Sequence, residues 1–162
     1  MSIVSLLNAL PGAVAQGLIW GIMAIGVYIT FRILDIADLT VDGSLATGGA
    51  VAVMLIRGGM SPWAALIFAF LAGMAAGFIT GILHTALGIP GILASILTQI
   101  SLYSINLKTM GKANQAINVD KFDLLVSLRF IRKVPFYKNT ILIVAIAIII
   151  LIAILYWFFG TE

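Results

Sequence analysis

Few residues in this chain can do chemistry, and they gather in two places. The stretch "RILDIADLTVDGSLATGG", residues 32–49, carries three of the six acidic residues, Asp35, Asp38 and Asp42, together with Thr40 and Ser44. Further along, Ser95, Gln99, Tyr103 and Asn106 step by four, four and three. At ~100° per residue that spacing puts them within about 80° of one another on a helix. Carboxylates, hydroxyls and amides in this arrangement can hydrogen-bond a solute or one another, but they supply no nucleophile paired with a base. There is no cysteine, and His84 is the single histidine, near Gly88 and Pro90. No carboxylate–histidine cluster has metal spacing, and no GxxxxGK[ST] loop cradles a phosphate. No catalytic residue, metal site or cofactor is therefore expected. The chain is not expected to be an enzyme, so any energy for work must come from a gradient or from another subunit.

These residues are set in an oily background. Of 162 residues, 62% are hydrophobic and 9% charged, with a mean hydropathy of +1.20. A soluble domain carries roughly a quarter charged residues, so the composition indicates an all-α membrane protein, a polytopic helical bundle. The net charge of +3 is no nucleic-acid signal, because its basic residues lie mainly between two apolar runs. The opening "MSIVSLLNALPGAVAQGLIW" has no Lys or Arg ahead of its apolar run, unlike a cleaved signal peptide, and reads as a retained first span. About 20 apolar helical residues cross a bilayer. Spans are accordingly expected at about 11–31, 36–56, 62–83, 89–106 and 140–159, with a polar loop at 107–139. The second is expected to be short or broken, since 44–56 alone is too short to cross. The last ends in an aromatic belt, Tyr156 to Phe159.

Small residues recur at helical spacing: Gly17 and Gly21 on the first span, then Gly73, Gly77 and Gly81 on the third, with Asp42, Ala46 and Ala50 continuing the theme. Such faces let helix backbones approach closely in lipid, so these glycines are expected to pack helices. By contrast, 141–155 is Ile, Leu, Val and Ala throughout and reads as lipid-facing. The 107–139 loop carries seven of the nine basic residues. It reads either as a connector lying along the membrane surface or as a docking surface for a partner protein.

The acidic stretch has two readings that can hold together. In one it is caps and turn: Asp42 or Ser44 caps a helix over 44–56, and Arg32 pairs with Asp35 at i,i+3. In the other it is the irregular piece of a discontinuous span. Such backbone is tolerated at membrane depth only where protein buries it or water lines it, and breaks of this kind often form substrate sites. The polar stripe on the fourth span likewise either bonds neighbouring helices or lines a wet path, with Gln16 a weaker candidate.

Taken in order, these motifs resemble a family. "QGLIWGIMAIGVYITFRILDIADLTVDGSLATGGAVAV" looks like the N-terminal part of permease subunits of bacterial ABC importers, in the branched-chain amino acid and ribose permease superfamily. The Asp38–Ser44 run "DLTVDGS" is similar to that superfamily's D-L-S-V-G-S motif with one residue added. "GFITGILHTALGIPGILASILTQISLYSINLKTMG" resembles the block that follows it. The resemblance covers nearly all of 12–118 and weakens through 119–139. It implies the N-terminal half of a permease domain in the bacterial plasma (inner) membrane. The partners it implies are a second permease copy, cytoplasmic ATPase subunits, an extracytoplasmic solute-binding protein and membrane lipid, with no nucleic acid. It further implies ATP-driven import of a small organic solute, amino-acid-like in the most similar branch. Asp38, Thr40, Asp42 and Ser44 would then flank the substrate pathway, with Ser95, Gln99 and Asn106 facing it from the fourth span.

The family pattern continues into a coupling helix with R-A-x-G-x-N, whereas this sequence ends at "FFGTE". A fragment or truncated product is therefore expected, or a job shared by two polypeptides. The alternatives are a non-transporting remnant or assembly subunit, and a gradient-driven transporter. The orientation has two readings as well. The side holding Arg57 and 107–139 has eight basic residues against Arg32 alone on the other, which places the loop inside by the positive-inside rule. The family resemblance places the loop outside and the chain end in the cytoplasm, and that placement is the one expected here.

Overall fold

In a computed structural model, residues 3–36, 38–117 and 140–160 are described. They form five helices: α1 (Ile3–Leu34), α2 (Thr40–Arg57), α3 (Pro62–Thr85), α4 (Gly91–Met110) and α5 (Thr140–Gly160). The described residues contain no strand. Among the described residues three segments are long and apolar enough to cross a membrane: Gly12–Ile33, Pro62–Thr85 and Leu142–Gly160. The protein is a helical membrane protein, as the composition requires. Contacts divide the chain into two units, one of Met1–Ala24 with Val126–Glu162, the other of Ile25–Leu125. Within the second unit α2, α3 and α4 all pack against one another.

The acidic stretch turns out to be a helix end, a short link and a helix start. Asp35 stands at φ 55°, a left-handed conformation that Asp tolerates better than most side chains. Its N–H still donates to the Phe31 carbonyl at 3.0 Å. Asp35 thus ends α1 in the manner of a left-handed cap and leaves the helical i,i+3 position beside Arg32. The helix expected over 44–56 starts earlier, at Thr40, and runs unbroken to Arg57. Leu39 takes the N-cap position with no side-chain cap bond; just ahead of it the Asp38 carboxylate accepts from the Thr40 N–H at 2.8 Å, while Asp42 sits inside the first turn. Asp42 there favours the helix dipole. α2 is thus a single uninterrupted helix of 18 residues.

The other boundaries follow local chemistry. Ser61 caps α3, its hydroxyl accepting from the Ala64 N–H at 3.4 Å, and Pro62 takes the first helical position, where a missing N–H costs nothing. α2 ends at Gly58 and Gly59; Gly59 at φ 90° lets the Met60 N–H reach back to the Leu55 carbonyl at 3.0 Å. At the end of α3 the His84 ring lies 2.8 Å from the Ile89 carbonyl through Nδ1. A carbonyl only accepts, so Nδ1 carries the proton. His84 therefore fastens the tight link into α4. Of the polar stretch 107–139, residues 107–110 complete α4 and residues 118–139 lie outside the described residues.

Candidate functional site: a polar cleft between α2 and α4

Two glycines set how close α2 comes to its neighbours. A methyl placed on Gly43 would sit 3.3 Å from the Gln99 Cα and 3.1 Å from the Leu102 Cδ1, so the α2 backbone lies against α4 there. One placed on Gly48 would sit 3.3 Å from the Ala69 carbonyl oxygen of α3. Close approach in lipid stands in for the hydrophobic drive that helices have in water. It also brings short polar side chains within reach of one another.

Two amide bonds span the α2–α4 seam. The Gln99 Nε2 donates to the Asp42 carboxylate at 3.0 Å. One and a half turns on, the Asn106 Nδ2 donates to the Thr47 hydroxyl at 3.0 Å, and Thr47 donates in turn to the Gly43 carbonyl at 2.8 Å. Asn106 and Thr47 are buried, while Asp42 is exposed. A third set joins all three helices: the Thr40 and Thr80 hydroxyl oxygens lie 2.8 Å apart, and Thr80 donates to Thr98 at 2.9 Å. Thr98 donates to the Ala94 carbonyl at 3.0 Å. Each hydroxyl has one proton, so with Thr98 donating to the backbone and Thr80 to Thr98, the Thr40 proton goes to Thr80; the Ala76 carbonyl, 3.4 Å from the Thr80 oxygen, is the longer alternative acceptor for Thr80.

Alongside the seam is a cleft of about 200 Å³ lined by Asp42, Gln99, Tyr103 and Asn106, with Gly43, Ala46, Leu107, Met110 and Ala113 completing its wall. Of the residues singled out from sequence, Asp42, Gln99 and Asn106 meet here with Tyr103. Thr40 is buried in the threonine chain, and the Asp38 carboxylate is engaged by the Thr40 N–H at the start of α2. Ser44 and Ser95 bond carbonyls of their own helices, Val41 at 3.0 Å and Ile92 at 2.8 Å, and Ser95 is fully buried. Gln16, on α1, is exposed. Among the glycines, a methyl on Gly73 would lie 3.8 Å from the Ser44 carbonyl oxygen, and one on Gly17, Gly21, Gly77 or Gly81 would meet no described atom within 4 Å.

Thr47, Thr80 and Thr98 were not singled out from sequence. Thr80 had a visible signal, being the lone polar side chain in the apolar run 62–83. Intramembrane polar residues face protein or water rather than lipid.

The family described as "Branched-chain amino acid transport system / permease component" matches residues 10–161. The chain belongs to this family. A tyrosine transport system permease protein of Clostridioides difficile (strain R20291) is 44% identical to this permease-family chain over 108 residues, 67% of the chain and 37% of that relative. An uncharacterized protein of Rickettsia prowazekii (strain Madrid E) is 40% identical over 111 residues, 68% of the chain and 39% of that relative. The permease-family chain thus spans under two-fifths of the length of these curated relatives. No solved structure matches it.

Proposed function

We propose that the chain supplies the N-terminal half of the permease in an ATP-driven ABC importer for an amino-acid-like solute. The observation that carries this reading is the family match over 10–161, taken with a polar cleft on helices that are otherwise apolar outside. A 44% identical relative is a tyrosine transport system permease protein, which favours an amino acid as the solute. The cleft between α2 and α4 lines the translocation path, with Asp42, Gln99 and Asn106 on its wall. Asp38, Thr40, Ser44 and Ser95 stand behind that wall, holding the helix ends and seams in place. Glycines at 17, 21, 73, 77 and 81 offer faces to neighbouring helices of the complete transporter. The partners are a second permease copy, ATPase subunits on the cytoplasmic side and an extracytoplasmic solute-binding protein. The setting is the bacterial plasma membrane, where ATP turnover on the partner subunits drives alternating access.

Uptake of radiolabelled tyrosine, phenylalanine and leucine by native cells, with and without the gene for this chain, tests the proposal. The expected result is loss of one uptake activity on deletion, recovery on complementation, and inhibition by vanadate rather than by a protonophore. Protonophore-sensitive, vanadate-resistant uptake would instead establish a gradient-driven transporter. Unchanged uptake of all three solutes on deletion, or an Asp42→Ala chain that restores full transport at normal expression, would count against the reading.

A further inference from the structure

The hydrogen bonds of the cleft wall fix which of its atoms are left for a ligand. The Thr47 proton is committed to the Gly43 carbonyl, so toward Asn106 the Thr47 oxygen can only accept. Asn106 must therefore present its amide nitrogen to Thr47, which turns its Oδ1 the other way. The Asp42 carboxylate also only accepts, so Gln99 must present Nε2 to it, and its Oε1 is turned away. Among the described residues no buried side-chain polar atom lacks a partner; the two amide oxygens, which have no protein donor, are thus open to the cleft or to solvent. The remaining lone pairs of Asp42 add a full negative charge, and no Lys, Arg or His lines the cleft. Most of the wall is apolar, and the polar atoms that Asp42, Gln99 and Asn106 leave free on it are acceptors around one formal negative charge.

We infer that this cleft recognises the primary ammonium group of an organic solute, with Asp42 as the charge partner and the Gln99 and Asn106 amide oxygens as further acceptors. An ammonium has three donors and no acceptor, the complement of this wall. Tyr103, mostly exposed and part of the same wall, offers an aromatic face, which attracts a cation within about 6 Å of its ring. The organic character follows from size and lining. A cleft of about 200 Å³ holds several times the ~30 Å³ share of one water, and Leu107 and Met110 make part of it apolar. A bare metal cation would leave that apolar part unused. This inference rests on the proposed function for its setting, yet it concerns binding by the chain itself and needs no ATPase to be tested.

The test uses the full chain in lipid nanodiscs and saturation-transfer NMR with two probes of the same ring. Tyramine carries an ammonium; 4-hydroxyphenylpropanoate carries a carboxylate in its place. Tyramine is expected to show saturation transfer and the carboxylate probe none. Asp42→Asn keeps the shape and an acceptor for Gln99, and should weaken tyramine binding about tenfold, the loss expected for a hydrogen bond to a charged group. Gln99→Glu, which sets two carboxylates together, serves as a second variant; circular dichroism confirms that both remain folded. Equal signals from the two probes, or tyramine binding untouched by Asp42→Asn in a folded chain, would overturn the inference. Sodium-NMR broadening that Asp42→Asn abolishes, with no tyramine signal, would assign the cleft to an inorganic cation and overturn it as well. Failure of the uptake experiment with tyramine binding intact would fault the transport reading and leave this one standing.

Discussion

Replacing Thr80 with valine keeps the outline of the side chain and removes one hydroxyl from the middle of the threonine chain. The proton order makes the consequences unequal. Thr40, 1% exposed, donates to Thr80 and would lose its only acceptor. As the first residue of α2 it has no preceding helical turn to offer it a carbonyl, so the proton stays orphaned. An unsatisfied buried donor costs about 1–3 kcal/mol in proteins generally, whereas interhelical bonds in membranes average about 0.6 kcal/mol and reach ~1.7. Thr80→Val should therefore lie near the upper end, about 1.5 kcal/mol. Thr98→Val should cost less, because Thr80 can turn its proton to the Ala76 carbonyl, already 3.4 Å away. Thr40→Val removes the orphan along with the bond and should cost about 0.6 kcal/mol or less. The double variant Thr40→Val/Thr80→Val should be more stable than Thr80→Val alone, since two apolar partners leave nothing unsatisfied. Reversible unfolding of the purified chain in mild detergent, followed by circular dichroism, reads all four. Equal losses for Thr40→Val and Thr80→Val, or strict additivity in the double variant, would refute the reasoning.

Other positions give further expectations. Gly43→Val should separate α2 from α4 and cost about 1–3 kcal/mol as an overpacked substitution; unfolding measurements check the loss, and loss of tyramine binding checks the separation. Asp35→Gly should raise stability by about 0.5–1 kcal/mol, because glycine adopts the φ of 55° without the left-handed penalty, and the same unfolding assay decides it. The family resemblance implies an outside position for 107–139, so Lys121→Cys in intact cells should react with an impermeant maleimide; reaction only after the cells are opened would place that loop inside, as the basic count suggests.

Much of the helical layout could be read from composition and span length, because lipid leaves backbone polar groups few alternatives. The start of α2 could not. Three polar residues at 40–44 look like a break, yet Thr40, Asp42 and Ser44 each find a partner in a packed bundle, and Leu39 takes the cap position with neither Asp42 nor Ser44 capping. The stripe on α4 was visible as a stripe, but its members diverge in what they touch. Gln99 and Asn106 reach α2, Tyr103 stays exposed, and Ser95 turns back onto its own helix. A spacing argument places side chains on one face and says nothing of which neighbour satisfies each. The threonine chain was harder still, since it joins residues 40, 80 and 98 from three helices. Only the packing brings them together, and Thr80 alone carried a sign of it.

On the proposed function, the α2–α4 cleft is a wet solute path through the helix bundle. The chain has no cysteine, so single replacements report cleanly. Tyr103→Cys lines the cleft, and Phe70→Cys or Phe78→Cys lies on the exposed apolar face of α3. In membranes of native cells, a hydrophilic maleimide should modify Tyr103→Cys readily and the two α3 replacements slowly, and the transported solute should protect the first alone. Equal reactivity at all three sites, with no protection by solute, would contradict it.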